Sequence, residues 1–335
     1  MLDQALRLFD IRPDCDLDVM QIDQGLPEIT GRILFGLRKI IEGVHPDVML
    51  VQGDTTTTFA AALSGFYANI PVGHVEAGLR TGNVRQPFPE EINRVLTTRL
   101  ASWHFAPTGG NRENLLREGV PSDRIMVSGN TIIDALLWVQ EQASREHGNW
   151  PDEIWGSAAP FIKGESPIVL ITGHRRENFG VGFRNICEAL VSLAQRNRAW
   201  QFVYPVHLNP NVRTTVYERL AGIPNIHLIP PLDYCQFVFL MGRSYLILTD
   251  SGGVQEEGPA LGKPVLVMRE VTERPEAIDS GAAVLVGTDR DQIVHHVEEL
   301  INDHARYDQM ARGSSLFGDG RASARIVEYL QGVIL

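Results

Sequence analysis

The chain has 335 residues, too many for one small core and suited to two domains. Its 44% hydrophobic and 21% charged residues are an ordinary globular balance, and its formal net charge of −11 sets up a field that repels nucleic acid and anionic membranes. Cys15, Cys187 and Cys235 stand far apart with no C-x-x-C pair, which argues against a disulfide framework or a zinc site and fits a reducing cytoplasm.

The chain opens on Met1-Leu2-Asp3-Gln4-Ala5-Leu6, which reads as the middle of a helix. It lacks the charged-then-apolar pattern of a signal peptide, and no apolar run reaches membrane-spanning length. Ile29, Ile33, Leu37, Ile40 and Ile41 recur at helical spacing until His45-Pro46-Asp47 breaks the helix. Short apolar runs then alternate with amphipathic stretches, the rhythm of βα units around parallel sheets. Strands are predicted at Val48–Val51, Pro71–Val75, Ser102–Ala106 and Ile125–Ser128. A second series runs through Ile168–Thr172, Phe202–Val206, Ile226–Ile229, Leu246–Thr249, Val265–Met268 and Ala283–Val286, with helices such as Asn185–Ala194 and Asp291–Leu300 between. Composition places a linker in the polar stretch Gln140–Gly164, which carries Gly148, Pro151, Gly156 and Pro160. The fold class is therefore α/β, with two successive doubly wound sheets and a cleft between them as the expected ligand site.

Chemistry concentrates where strands end. Gln52-Gly53-Asp54-Thr55 follows the first strand and precedes an alanine-rich helix at Phe59–Phe66, so Asp54 sits at the edge where open α/β sheets bind ligands. The plain alternative is that Asp54 or a threonine caps the helix. His74-Val75-Glu76-Ala77-Gly78 ends the next strand in a carboxylate. In Pro87-Phe88-Pro89-Glu90 the prolines put Glu90 in the first turn of a helix, where a carboxylate is favoured anyway. Converging carboxylates raise one another's pKa, which lets one act as acid while another acts as base.

In the second half, Thr172-Gly173-His174-Arg175-Arg176 reads either as a solvated basic loop or as an anion site, with arginine matching phosphate oxygens. Thr249-Asp250-Ser251-Gly252-Gly253-Val254-Gln255-Glu256-Glu257 runs from a strand through paired glycines into a helix. Glycines let backbone N–H groups approach a diphosphate, and Glu256 or Glu257 can accept from ribose hydroxyls. His207 and Asn209 close another strand, and Arg274 follows one more, poised for a phosphate or for surface pairing with Glu273 or Glu276. No G-x-G-x-x-G follows a strand and no P-loop motif occurs, so neither NAD nor a bound cofactor is expected, and the scattered histidines predict no catalytic metal.

Six of these blocks in order resemble the non-hydrolysing bacterial UDP-N-acetylglucosamine 2-epimerases over essentially the whole chain. They are the runs from Gly53, His74, Pro89, Gly173, Thr249 and Thr272. The resemblance implies two Rossmann-like domains of GT-B type, over residues 1–129 and 130–323, with the last helix, 324–335, returning to the first domain. It implies catalytic roles for Asp54, Glu76, Glu90 and His174, and nucleotide contacts at Ser251, Gly252 and Glu257. Arg94, Asn209, Gly253 and Arg274 complete the expected substrate contacts, and Arg175 and His207 belong to a site where the substrate itself acts as allosteric activator. The implied reaction interconverts UDP-N-acetylglucosamine and UDP-N-acetylmannosamine for surface-polysaccharide synthesis. It proceeds by elimination of UDP to 2-acetamidoglucal and re-addition, in a cytoplasmic homodimer. Family members open with a strand and a Gly-Thr-Arg-Pro-Glu loop that this sequence lacks; a chain starting at Met1 is expected to be poorly stable and weakly active. A UDP-sugar glycosyltransferase, a hydrolysing epimerase and a silent nucleotide-sugar binder are the alternatives.

Overall fold

The computed structural model describes residues 2–21, 24–145, 150–313 and 315–334. Met1, and Gly148 of the compositional linker, lie outside the described residues. In chain order the elements begin with α1 (Leu2–Leu8), α2 (Leu26–Val44), β1 (Met49–Gln52), α3 (Thr56–Tyr67), β2 (Val72–Val75) and α4 (Glu90–Leu100). Next come β3 (Trp103–Ala106), α5 (Gly109–Arg117), β4 (Ile125–Val127), α6 (Thr131–Arg145), α7 (Asp152–Trp155) and α8 (Ala159–Ile162). The chain continues with β5 (Ile168–Thr172), α9 (Val181–Arg196), β6 (Gln201–Pro205), α10 (Pro210–Leu220), β7 (Ile226–Ile229) and α11 (Tyr234–Arg243). It ends with β8 (Leu246–Thr249), α12 (Val254–Ala260), β9 (Val265–Val267), α13 (Pro275–Asp279), β10 (Ala283–Leu285), α14 (Arg290–Asn302), α15 (His304–Met310) and α16 (Ala322–Ile334).

Two compact units result: residues 9–134 with 317–335, and residues 1–8 with 135–316. They are called here the N-terminal and C-terminal units. The polar stretch Gln140–Gly164 holds the end of α6 and the short helices α7 and α8.

The N-terminal unit has a parallel sheet in the order β1-β2-β3-β4. α2 stops where His45 turns left-handed at φ 51° and donates its N–H to Ile41 O, just before Pro46, which disfavours helical backbone at the residue ahead of it. α3 begins three residues earlier than its alanines suggest. Thr55 caps it by accepting from Thr58 N, and the Thr58 hydroxyl donates to Gln52 O. That satisfies donors at the helix start and outweighs the modest helix aversion of β-branched threonines. α16 lies on the sheet, where Ile326 and Leu330 join Val75 and Phe105 in one apolar cluster and Tyr329 meets Phe105 edge-on at 5.7 Å. Its first turn is held by the Asp134 carboxylate, which accepts from Ala322 N and Ser323 N.

The C-terminal unit has a parallel sheet in the order β10-β9-β8-β5-β6-β7. Numbered within the unit this is 6-5-4-1-2-3, the doubly wound order whose reversal point lies between its first and fourth strands. β5 and β8 are buried runs, Ile168–Ile171 and Leu246–Thr249. They read as continuous apolar segments because helices cover both faces of such a sheet. The main core lies between this sheet and α9, α10 and α14, with Phe183, Leu190, Phe202, Leu248 and Val297 all at 1% exposure or less.

In the N-terminal sheet His74 and His104 stand opposite each other on β2 and β3, both buried. Burial pushes His74 down to about 4 and His104 down to about 3. An unfolded chain takes up these protons near pH 6.5, so it binds more protons than the native state between there and pH 3–4. Stability therefore falls as pH drops through that window and is indifferent to these groups above it. We expect His74→Gln to move acid unfolding to lower pH, read by circular dichroism. Leu330→Ala should cost about 2–5 kcal/mol in denaturant unfolding, and Asp134→Ala about 1 kcal/mol through loss of the α16 cap.

Candidate functional site

In the N-terminal unit Asp54 and Glu76 follow closely on the ends of β1 and β2. Gly53, at φ 74°, donates its N–H to Val75 O and receives the His74 ring nitrogen Nε2 on its carbonyl at 2.8 Å. These contacts set the turn that delivers Asp54, which stands before the cap of α3 rather than serving as the cap. Glu76 takes a left-handed backbone at φ 66°, a conformation costing a non-glycine residue roughly 1–3 kcal/mol. Its Oε2 lies 3.4 Å from where a Cβ on Gly53 would stand, so the Glu76 carboxylate reaches the turn that carries Asp54. Gly78 is required by contact: at φ 90° a Cβ there would come within 2.3 Å of Asn111 O.

α4 contacts Asp54. Glu90 is its first residue, and Glu90 Oε2 is buried with no hydrogen-bond partner among the described residues. One turn on, Asn93 donates to Asp54 O at 2.9 Å, and Arg94 donates through Nε and Nη2 to Asp54 Oδ2 at 2.9 and 2.7 Å. Arg94 also donates to Glu91, whose carboxylate accepts the N–H groups of Thr81 and Gly82. The guanidinium of Arg94, 5% exposed, is thus spent on Asp54 and Glu91. Glu91 carried no role in the sequence reading, yet it ties the loop after Glu76 to α4.

In the C-terminal unit the second group forms at the reversal point of the sheet. Thr172 and Thr249 face each other in register and their hydroxyls hydrogen-bond at 2.5 Å. Directly beyond, Asp250 is wholly buried. Its carboxylate accepts from His174 N at 3.0 Å, Arg175 N at 2.9 Å and Asn178 Nδ2 at 3.1 Å, and lies 3.4 Å from His174 Nδ1. Burial lowers the His174 pKa, opposed by Asp250 and aided by Arg175 and His207, which favours the neutral imidazole. The His174 and His207 rings stack 5.6 Å apart. His207 Nδ1 accepts from Asn209 N, and the Asn209 side chain caps α10 through Asn211 N.

Ser251, Gly252 and Gly253 form the turn between β8 and α12, with Ser251 N on Thr249 Oγ1. Beneath Gly252 lies Arg274, which donates to Glu256 and to Glu273 at 2.9 Å. A Cβ on Gly252 would meet Arg274 Nη1 at 2.8 Å and Glu273 Oε1 at 3.1 Å. Arg274 is therefore a buried support of the glycine turn, not a surface partner of its neighbours. Glu273 also binds Arg269, which reaches Glu177. Burial disfavours the charge on Glu273, but Arg274, Arg269 and Arg175 outweigh it and hold its carboxyl at about 2. Arg175 Nη2 approaches Glu273 at 3.8 Å while its buried Nε has no hydrogen-bond partner among the described residues. Asp250 and Tyr234, which donates to Glu257, were not singled out in the sequence. For Asp250 the signal was available, since it is the first residue past a buried strand at the switch point.

Known proteins match this chain over nearly its whole length. A family model for UDP-N-acetylglucosamine 2-epimerase covers residues 1–331. A Yersinia pestis UDP-N-acetylglucosamine 2-epimerase is 57% identical over 333 residues, 99% of this chain and 88% of its own length. The Escherichia coli K12 protein of the same name is 54% identical over 334 residues, 99% of this chain and 88% of the other. The crystal structure of the Neisseria meningitidis UDP-GlcNAc 2-epimerase bound to UDP-GlcNAc is 49% identical, superposes with a TM-score of 0.94, and is matched over 99% of this chain and 88% of that one. An identity of one residue in two along nearly the full chain, on the same α/β fold, has one consequence: this chain belongs to the UDP-N-acetylglucosamine 2-epimerase family.

Proposed function

We propose that the protein interconverts UDP-N-acetylglucosamine and UDP-N-acetylmannosamine without releasing free sugar. Removal of the C2 proton accompanies breakage of the C1–O bond, giving 2-acetamidoglucal and UDP. Protonation of C2 from the opposite face and return of the UDP oxygen to C1 give the epimer. Atoms balance and no redox step occurs. The reading is supported by the N-terminal unit, where the Glu76 carboxylate reaches the Gly53 turn that carries Asp54, and by Glu90, whose Oε2 is buried and has no hydrogen-bond partner among the described residues. A carboxylate oxygen left without a donor is costly unless a ligand supplies one. These carboxylates take up and return the C2 proton. The cradle Ser251–Gly253 with Glu257 holds the nucleotide, and His174, oriented by Asp250, donates a hydrogen bond to the departing diphosphate. Arg94 acts through Asp54, and Arg274 through Gly252.

The same reading takes the domains as 1–129 and 130–323 with 324–335 joining the first. It places the enzyme in the cytoplasm as a homodimer, and takes Arg175 and His207 as contacts for UDP-N-acetylglucosamine acting as activator. Among the described residues no helix is long and apolar enough to cross a membrane.

In D₂O with UDP-N-acetylglucosamine alone, NMR should show UDP-N-acetylmannosamine and deuterium at C2 of both epimers. Free N-acetylmannosamine with UDP instead would establish hydrolysis, and no change until an acceptor is added would establish a transferase. Asp54→Asn, Glu76→Gln and Glu90→Gln should each lower kcat by about 10²–10⁴-fold while leaving UDP affinity nearly unchanged. Gly252→Ala should have the opposite profile. Its methyl displaces Arg274 from a packed, paired position, and an overpacking strain of about 1–3 kcal/mol should weaken UDP binding about tenfold in calorimetry.

A further inference from the structure

Tyr234 opens α11 and is fixed there by the capping box in which Asp233 accepts from Gln236 N and Gln236 Oε1 accepts from Asp233 N. Its hydroxyl donates to Glu257 Oε1 at 2.5 Å. Glu257 is 5% exposed, and its Oε2 lies 3.5 Å from where a Cβ on Gly253 would stand. One carboxylate oxygen is thus anchored by a phenol carried on a separate helix, and the other turns toward the glycine cradle. We propose that Tyr234 is a positioning residue for sugar recognition: it fixes the Glu257 rotamer with its second oxygen toward the glycine cradle, making Glu257 a selector of ribonucleotides over 2′-deoxyribonucleotides. This rests on the reading that the Ser251–Glu257 segment holds UDP.

An ionised carboxylate accepts from both hydroxyls of a vicinal diol, whereas a protonated one must place a hydrogen of its own and loses acceptor capacity. Burial pushes the Glu257 carboxyl up to about 7; the Tyr234 hydrogen bond pulls it down, Glu256 pushes it up and Arg274 pulls it down. Tyr234 itself is raised well above the usual tyrosine value, first by burial and then by Glu257, so it remains a donor throughout the working range. Removing its hydroxyl takes away a donor to a charged group and moves Glu257 further toward its neutral form at pH 7.

The test is calorimetric binding of UDP and of 2′-deoxy-UDP between pH 6 and 9 to the wild type, Tyr234→Phe and Glu257→Gln. The two ligands carry the same diphosphate, so its titration cancels in the ratio of their affinities. The wild type should prefer UDP, with the preference declining as pH falls through about 7. Tyr234→Phe should lower the preference about tenfold at pH 7, shift its decline to higher pH and recover part of it at pH 9. With UDP-N-acetylglucosamine, KM should rise more than kcat falls. Equal loss of affinity for both nucleotides, or an unchanged ratio and pH profile in Tyr234→Phe while Glu257→Gln loses the preference, overturns the role of Tyr234 alone. Retention of the preference by Glu257→Gln overturns the cradle reading on which it rests.

Discussion

The second half of this chain is organised around one buried carboxylate. Asp250 has no exposure, and an ionised carboxylate taken out of water costs several kcal/mol unless donors replace its hydration. Here two backbone N–H groups and an amide from the loop after β5 replace it. The residues that satisfy Asp250 are 72 to 76 positions away in sequence, so the charge can be buried only when β5 and β8 are side by side. The same bonds orient His174, because the loop that carries the imidazole is the loop that solvates Asp250. Fold and chemistry are coupled through one group: the loop cannot relax without stranding the carboxylate.

Beneath the glycine turn the charges alternate in sign from Glu177 through Arg269, Glu273 and Arg274 to Glu256. Each arginine fork bridges two carboxylates, geometry that a lysine ammonium cannot reproduce. In the N-terminal unit Arg94 plays the same part between Asp54 and Glu91. In a chain of net charge −11 these arginines hold carboxylates in place.

Strand positions were legible in the sequence because parallel strands covered on both faces are unbroken apolar runs, as in Ile168–Ile171 and Leu246–Leu248. The placement of Asp54, Glu76, His174 and Ser251 at strand ends was legible for the same reason. The start of α3 was not, since threonine counts against helix in isolation and only the pairing of Thr58 with Gln52 O reverses that. Nor were the partners of Arg94 and Arg274. A buried arginine and a solvated one look alike in sequence, and what distinguishes them is a carboxylate brought close by folding, from 40 positions away for Asp54 and 18 for Glu256. Tyr234 escaped notice because a tyrosine at a helix start announces no chemistry until Glu257 is beside it.

The clasp of α16 on the N-terminal sheet has a bearing on the order in which this protein can be made. Val75 and Phe105 wait for Ile326 and Leu330, and Ser128 O for Arg325. A ribosome delivers β1 to β4 before the strands of the other unit, yet the layer that shields one side of them comes after every one of those strands. The second unit's sheet therefore has the means to assemble while the first is still open. Arrival of α16 is the moment at which this face of the N-terminal sheet is sealed.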